Sequence, residues 1–367
     1  MTDSTDEAGQ LSQIREQIDA VDAELLKLIS RRAELAQEVA HIKQTNGDEG
    51  EVAFYRPERE AQVLRQVMSA NPGPLPDEEM ARLFREIMSA CLALERPLTV
   101  AYLGPAGTFT QAAALKHFGH SVRTRAQGAI DEVFREVEAG ACNYGVVPIE
   151  NSTEGVITHT LDMFLQSPLK VCGEVELRIH HHLLARSQSL DDIERVYAHQ
   201  QSLAQCREWL DAHLTGVERI PVSSNAEAAR VAAEEPGSAA IAGEAAAELY
   251  DLNILAANIE DHPENTTRFL VIGRQEVPPS GYDKTSLLVS AANRPGSLYR
   301  LLKPLAEQGV SMTRIESRPS HCVNWEYVFF LDILGHQEEE GVREALAGLE
   351  AEAELFKVLG SYPRAVL

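Results

Sequence analysis

The chain has 367 residues, 24% charged and 44% hydrophobic, with 33 basic against 56 acidic side chains and a formal net charge of −23. These proportions exclude wholesale disorder, the length provides for two or three domains with separate cores, and the acid excess excludes nucleic acid and anionic membrane as partners, since both demand a basic footprint. Any small anionic ligand must therefore be gathered locally, against the overall field.

Five cysteines, Cys91, Cys142, Cys172, Cys206 and Cys322, are scattered without a CxxC pair. That speaks against a disulfide framework or zinc ribbon and for a reducing, cytoplasmic compartment. The opening MTDSTDEAGQ lacks the apolar core of a signal peptide, and no apolar run reaches the ~18–20 residues that span a bilayer.

Apolar residues at Leu11, Ile14, Ile18, Val21, Leu25 and Leu28, resuming at Leu35, Val39 and Ile42, predict one helix of about thirty residues. Such a rod is too long to be covered by a small domain of its own chain. A second helix opens at Arg56-Pro57-Glu58, with Pro in the first turn where its missing N–H costs nothing. After the break NPGPLP, a third helix runs from Asp77 to Glu95 and is expected to bury Met80, Leu83, Phe84, Ile87, Met88 and Cys91. Three helices with a narrow, heptad-like seam point to a helical dimer.

After Arg96-Pro97 the pattern becomes α/β. LTVAYLG reads as a buried strand, GPAGTFT as a Gly-rich turn, and Gln111 to Phe118 as a helix, with another helix near Ile130 to Ala139. Strands are expected at Tyr144–Pro148, Leu169–Cys172, Glu176–Leu184 and Val196–Ala198, then a helix Leu203–Ala212 and a short strand Ala239–Ala242 between Ala-rich helices. This alternation predicts a two-lobed sheet domain with a cleft over 97–277. Beyond the linker VPPSGYDK, strands at 285–291, 310–317, 326–333 and 355–361 and helices at 296–308 and 338–349 give a ferredoxin-like βαββαβ domain over 284–362. The fold class is thus multidomain: all-α, then two-lobed α/β, then ferredoxin-like.

On the first helix, Arg32 and Lys43 fall about 20° from a common face and about 16 Å apart, so their side chains can close around a small dicarboxylate. Arg15 lies about 25 Å from Arg32 on the same rod and reaches such a site only from a second subunit. The stretch IREQIDAVDAELLKLISRRAELAQEVAHIK resembles the N-terminal helix of the all-helical chorismate mutases, intertwined homodimers that turn chorismate into prephenate. That resemblance implies that Arg15, Arg32 and Lys43 hold the substrate carboxylates, and that Glu58 accepts from the ring hydroxyl. Relatives often carry Arg where Pro57 stands and an acid near Phe54, and Arg56 is the neighbouring cation. Glu95 stands where many relatives carry Gln. The rearrangement needs a fixed conformer and a donor to the ether oxygen, which an ionised carboxylate cannot supply. Glu95 is therefore expected to work protonated, its pKa raised by burial and by Glu58.

GPAGTFT follows a strand and precedes a helix, the geometry of a backbone anion cradle, without a P-loop Lys or GxGxxG spacing. PIENSTEG and NTTRF are two further polar turns at strand ends, and their convergence on a cleft is expected. With IED before the last, these motifs resemble prephenate dehydratase, which expels the ring hydroxyl and ring carboxylate of prephenate as water and carbon dioxide, leaving phenylpyruvate. The resemblance makes Thr267 the indispensable hydroxyl, Arg268 the cation of the site, and Thr108, Asn151, Ser152 and Thr153 cleft residues. AHQQSLAQC fits the family's helix-leading loop, with Ala198 and Gln200 where relatives often have Ser and Pro. His180, His181 and His182 are not expected to bind metal, since neighbours on a strand alternate faces, and no cofactor is expected. Cys142 and Cys206 read as buried apolar groups.

NRPGSLYRLL and IESRP resemble the two phenylalanine-binding motifs of ACT regulatory domains. This implies an L-phenylalanine site with Asn293, Gly296, Ser297 and Leu298 on one rim and Glu316, Ser317 and Arg318 opposite, at a homodimer or higher homo-oligomer interface. In this order the three segments, 1–96, 97–277 and 284–362, resemble the bifunctional chorismate mutase/prephenate dehydratases, feedback-inhibited by L-phenylalanine, and the linker Val277 to Lys284 is the expected hinge of that inhibition. Two other readings remain open from the sequence: a monofunctional dehydratase with a non-catalytic helical dimerisation module, and a non-enzymatic two-lobed binding protein.

Overall fold

The computed structural model describes residues 3–45, 55–292, 294–319 and 327–367. The first helix spans Asp3–Thr45, 43 residues, longer than its apolar stripe because the polar leader continues it. Its stripe lies open: Ile18, Leu25 and Leu28 are 49–61% exposed.

Helices Pro57–Ala70 and Asp77–Glu95 form an antiparallel hairpin, its register marked by a buried Glu60–Arg85 pair at 3.3 Å. The expected apolar seam of the third helix is only partly covered. Cys91 is buried, as are Ala81, Arg85 and Ser89, but Leu83 is 45% exposed. The polar buried face is the one that meets the α/β domain: Arg85 Nη1 donates to Lys116 O at 2.8 Å. Gly119 (φ 74) comes so close to Ser89 that a side chain there would collide with it. Tyr55, also buried, hydrogen-bonds His117 Nε2 at 3.1 Å. Burial pulls His117 down to about 3, with Arg85 adding to it, so this contact is made by a neutral imidazole.

The α/β domain has two sheets. The first runs Arg123–Gln127, Thr99–Leu103, Tyr144–Asn151, Thr266–Gly273, Lys170–Arg178; the second runs Asn253–Ala256, His182–Ala185, Ser238–Ala242, Arg195–His199, Glu218–Val222. The predicted strand 176–184 is in fact split between the two sheets, because the chain crosses from one lobe to the other at Ile179–His181. It crosses back near Ile259–Asn265, and the two crossings are tied by Ile259 N to His181 O and Ile179 N to Asn265 O, both at 2.8 Å. The predicted helix Leu203–Ala212 is likewise two helices, Gln200–Gln205 and Arg207–His213, with Cys206 at the break.

The C-terminal sheet has the order Met312–Pro319, Tyr327–Leu334, Asp283–Ser290, Leu355–Pro363, the antiparallel ferredoxin-like arrangement. Its helices Ser297–Glu307 and Glu340–Glu352 cover one face. The other face shares a core with the first lobe, where Leu288, Phe330 and Tyr362 pack with Ile149, Phe164 and Leu270. The expected hinge, the linker 277–284, is pinned at its start and in its middle. Val277 O accepts from His336 Nε2 at 2.8 Å, and Ser280, itself buried, accepts from Arg65 at 2.9 Å. Among the described residues no helix is long and apolar enough to cross a membrane.

Candidate active sites

On the first helix Arg15 is exposed and Arg32 half-buried. Lys43 belongs to the same helix, but its side chain lies outside the described residues, as does Phe54. Glu58, in the first turn of its helix, is 4% exposed. Its Oε1 accepts from Arg56 Nε at 2.6 Å, and its Oε2 is buried without a hydrogen bond. A buried carboxylate oxygen left open is costly and fits a position that awaits a donor. Glu95, half-buried, ends the third helix and lies toward the same open end of the hairpin as Glu58.

The three polar turns of the α/β domain do meet, in a cleft of about 380 Å³ between the lobes that is lined by Thr108, Asn151 and Thr267. Thr108 caps the helix Phe109–Phe118 and hydrogen-bonds Leu103 O at 3.1 Å. The Gly107 amide, one of the expected cradle donors, is taken by Gln111 Oε1 at 2.7 Å. Ser152 serves the framework: its Oγ accepts from Thr266 N at 2.9 Å. Thr153 reaches Asn265 Oδ1 at 3.4 Å.

Thr267 stands opposite Asn151 across the strand pair, and Asn151 Nδ2 donates to Thr267 Oγ1 at 2.8 Å. The direction of that bond is fixed. Asn151 Oδ1 accepts from the backbone amides of Thr153 and Glu154 at 2.9 and 3.0 Å, and a backbone N–H can only donate. The same amide nitrogen donates to Asn265 Oδ1 at 2.8 Å. Asn265 Nδ2 then faces Gln205 Oε1 at 3.2 Å, which also meets His181 Nε2 at 2.9 Å. With its oxygen occupied by the Asn151 amide, the Thr267 hydroxyl keeps its hydrogen for the cleft.

Arg268, expected as the cation of this site, is not in it. Consecutive strand residues point to opposite faces, so with Thr267 in the cleft, Arg268 faces the C-terminal domain. It pairs there with Glu174 at 2.9 Å and Asp332 at 2.6 Å. Burial opposes the charge, but Tyr362, Asp332 and Glu174 outweigh it and raise the pKa further. No Lys or Arg is among the described residues that line the cleft. Two helices of ten residues instead begin at it, Phe109–Phe118 behind Thr108 and Asn225–Glu234 behind Ser224.

Sequence reasoning missed His181 and Gln205 as cleft residues. Gln205 belongs to AHQQSLAQC, which carried the signal. The three histidines do separate, although only His182 is in a strand: His180 pairs with Glu260 at 2.9 Å, His181 with Gln205, and His182 Nδ1 accepts from Asn258 N at 3.2 Å. Burial lowers the pKa of His181 and keeps it neutral. Cys142 and Cys206 are buried and their thiols are pushed up by burial. Cys322 lies outside the described residues.

In the C-terminal domain Asn293 lies outside the described residues. Gly296 (φ 78) precedes the helix carrying Ser297 and the 39%-exposed Leu298. Glu316, Ser317 and Arg318 lie on Met312–Pro319, the edge strand of the sheet. Arg318 does not stand free at the rim, for it bonds both oxygens of Asp162, in the first lobe, at 3.0 Å.

Three family models match in series: chorismate mutase type II over residues 14–96, prephenate dehydratase over 100–277 and ACT domain over 285–351. A bifunctional chorismate mutase/prephenate dehydratase of Stutzerimonas stutzeri is 60% identical, over 98% of this chain and 100% of that one. A protein of the same description from Pseudomonas aeruginosa is also 60% identical, over 98% and 99%. Among solved structures, a prephenate dehydratase from Arthrobacter aurescens in complex with L-Phe superposes with a TM-score of 0.68 at 37% identity, covering 73% of this chain and 90% of that one.

Proposed function

The chain belongs to the bifunctional chorismate mutase/prephenate dehydratase family, and from that premise we propose how its residues divide the work. The enzyme rearranges chorismate to prephenate, then dehydrates and decarboxylates prephenate to phenylpyruvate. The match of residues 14–96 to a mutase model speaks against a merely structural helical module, and the dehydratase match against a non-enzymatic binder.

The mutase site is assembled from two protomers. The nine residues of the open apolar stripe need a cover, and a second copy of the helix supplies both the cover and Arg15. Arg32 and Lys43 then hold the substrate carboxylates, Glu58 with its open Oε2 accepts from the ring hydroxyl, Arg56 steadies Glu58, and Glu95 in its protonated form donates to the ether oxygen. No covalent step is required, because holding the reactive conformer and stabilising its developing charge are sufficient.

In the dehydratase cleft the observation that carries the reading is the fixed direction of the Asn151–Thr267 bond. It turns the Thr267 hydrogen toward the departing ring hydroxyl, which needs a donor to leave. The substrate is a dianion, and in a cleft with no Lys or Arg among its described lining residues the helix N-termini behind Thr108 and Ser224 receive its carboxylates. As carbon dioxide departs from the ring carboxylate its electrons complete the aromatic ring and expel the hydroxyl, so orienting the two groups is the protein's main task. L-phenylalanine binds between Gly296–Leu298 and Glu316–Arg318 where two copies meet, and inhibits.

A coupled assay from chorismate to phenylpyruvate, with and without phenylalanine, tests all three parts. Chorismate loss without phenylpyruvate, or turnover that ignores phenylalanine, would refute the corresponding assignment.

A further inference from the structure

Thr267 and Arg268 are adjacent residues with opposite surroundings. The Arg268 guanidinium sits in a buried cluster built by two domains. Glu174 comes from the first lobe, and Asp332 and Tyr362 from the C-terminal sheet, Tyr362 OH accepting from Nη2 at 3.1 Å. The cluster is closed on itself. Ser286 Oγ meets Asp332 at 2.5 Å and Tyr362 at 2.8 Å, and Lys284 Nζ meets Glu174 at 2.7 Å. Two cations face two carboxylates, so the charges balance, and removing any one leaves the buried cluster with an uncompensated charge. The strand next to Thr267 repeats the pattern: Asn151 faces the cleft while Glu150, paired in register with Arg268, reaches Arg314 of the C-terminal edge strand at 3.0 Å.

We propose that Arg268 is a positioning residue of the dehydratase step, and that Asp332 and Tyr362 of the C-terminal domain complete the dehydratase site by clamping it. The clamp fixes the strand at the one peptide that joins Arg268 to Thr267, and hence the place of the Thr267 hydroxyl. The C-terminal domain is then part of the active-site scaffold, besides any part it has in inhibition. This rests on the assignment of Thr267 above. Displacing a reacting group by ~1 Å costs on the order of a hundredfold in rate, so a loosened clamp reads out in kcat.

The test uses the full chain, whose mutase activity reports folding from within the same molecule. Asp332→Asn should lower dehydratase kcat at least about tenfold with KM within about threefold, and Tyr362→Phe, which removes one oxygen, about threefold. Mutase rates should stay within about twofold. In a Thr267→Ala background, Asp332→Asn should cost less than about twofold, because no hydroxyl remains to be misplaced, whereas general loosening would cost the same in both backgrounds. Wild-type kcat in both single variants, or an equal loss in both backgrounds, overturns the proposal. So does a tenfold rise in KM at unchanged kcat on replacing Arg268 by Gln, which would make Arg268 a substrate cation. A wild-type chain unable to turn over prephenate would overturn the Thr267 assignment, and this proposal with it.

Discussion

Leu25 lies near the middle of the first helix, 49% exposed, in a stripe with Leu11, Ile14, Ile18, Val21, Leu28, Leu35, Val39 and Ile42, all between 44% and 61% exposed. Fully burying such a side chain contributes ~1.5–3 kcal/mol. About half of each is still in water, so a second helix laid along the stripe gains about 1 kcal/mol per residue, or about 9 kcal/mol per protomer. That exceeds the lower estimates of the cost of association, ~4 kcal/mol and upward. Replacing Leu25 by Glu forfeits about 1 kcal/mol of burial and places a carboxylate in the seam, at several kcal/mol. A two-fold axis doubles both. Even 4 kcal/mol in total weakens association about a thousandfold. Mass by sedimentation equilibrium and both activities, measured on one preparation over a range of concentrations, check the outcome. Mutase activity should fall at least about a hundredfold and recover with concentration, because Arg15 must come from the second copy, while dehydratase activity stays within about threefold. Undiminished mutase activity in Leu25→Glu at the lowest concentrations would refute the two-protomer site.

Thr267→Ala should cost the dehydratase about 10²–10³-fold in kcat with the mutase unaffected, and Thr267→Ser should restore most of it. Asn151→Asp, nearly isosteric, puts an acceptor where the donor was and turns the Thr267 hydrogen away from the cleft; a loss as large as that of Thr267→Ala is expected, and a mild one would contradict the bond direction. Wild-type mutase activity should decline as Glu95 ionises, whereas Glu95→Gln keeps its rate at alkaline pH; identical alkaline limbs would dismiss the protonated-donor role. Burial pushes Glu60 from 4.5 up to about 7, against the pull of Arg85. A carboxyl raised by folding contributes stability that is present below 4.5 and lost as pH rises through about 7. The Tm advantage of Glu60→Gln over wild type should therefore grow from about pH 5 to about pH 8, and a constant difference would contradict the shift.

The helices at 57–70 and 77–95 and the βαββαβ order of the C-terminal domain could be read from spacing, because periods of 3.6 and 2 record which face is covered. Other elements left little trace. Arg123–Gln127 is an edge strand with the polar sequence RTRAQ, so no apolar run announces it. The break at Cys206 and the change of sheet at 179–181 depend on which lobe each segment joins. Gln205 and His181 reach the cleft because the crossings bring distant segments together, which no local pattern records.

The sequence by itself determined the order of the helical, two-lobed α/β and ferredoxin-like parts, the polar turns that meet in the cleft, and the apolar stripe of the first helix. Only the tertiary structure decided which of two neighbours, Thr267 or Arg268, faces the cleft. A strand shows its alternation in sequence, but the identity of the two faces belongs to what packs on them, here a cleft on one side and the C-terminal sheet on the other. The acid excess finds its place in the same way. On the proposed reading, local geometry, two helix N-termini in one site and a few cations brought together in the other, receives the dianions that the net charge of −23 would repel.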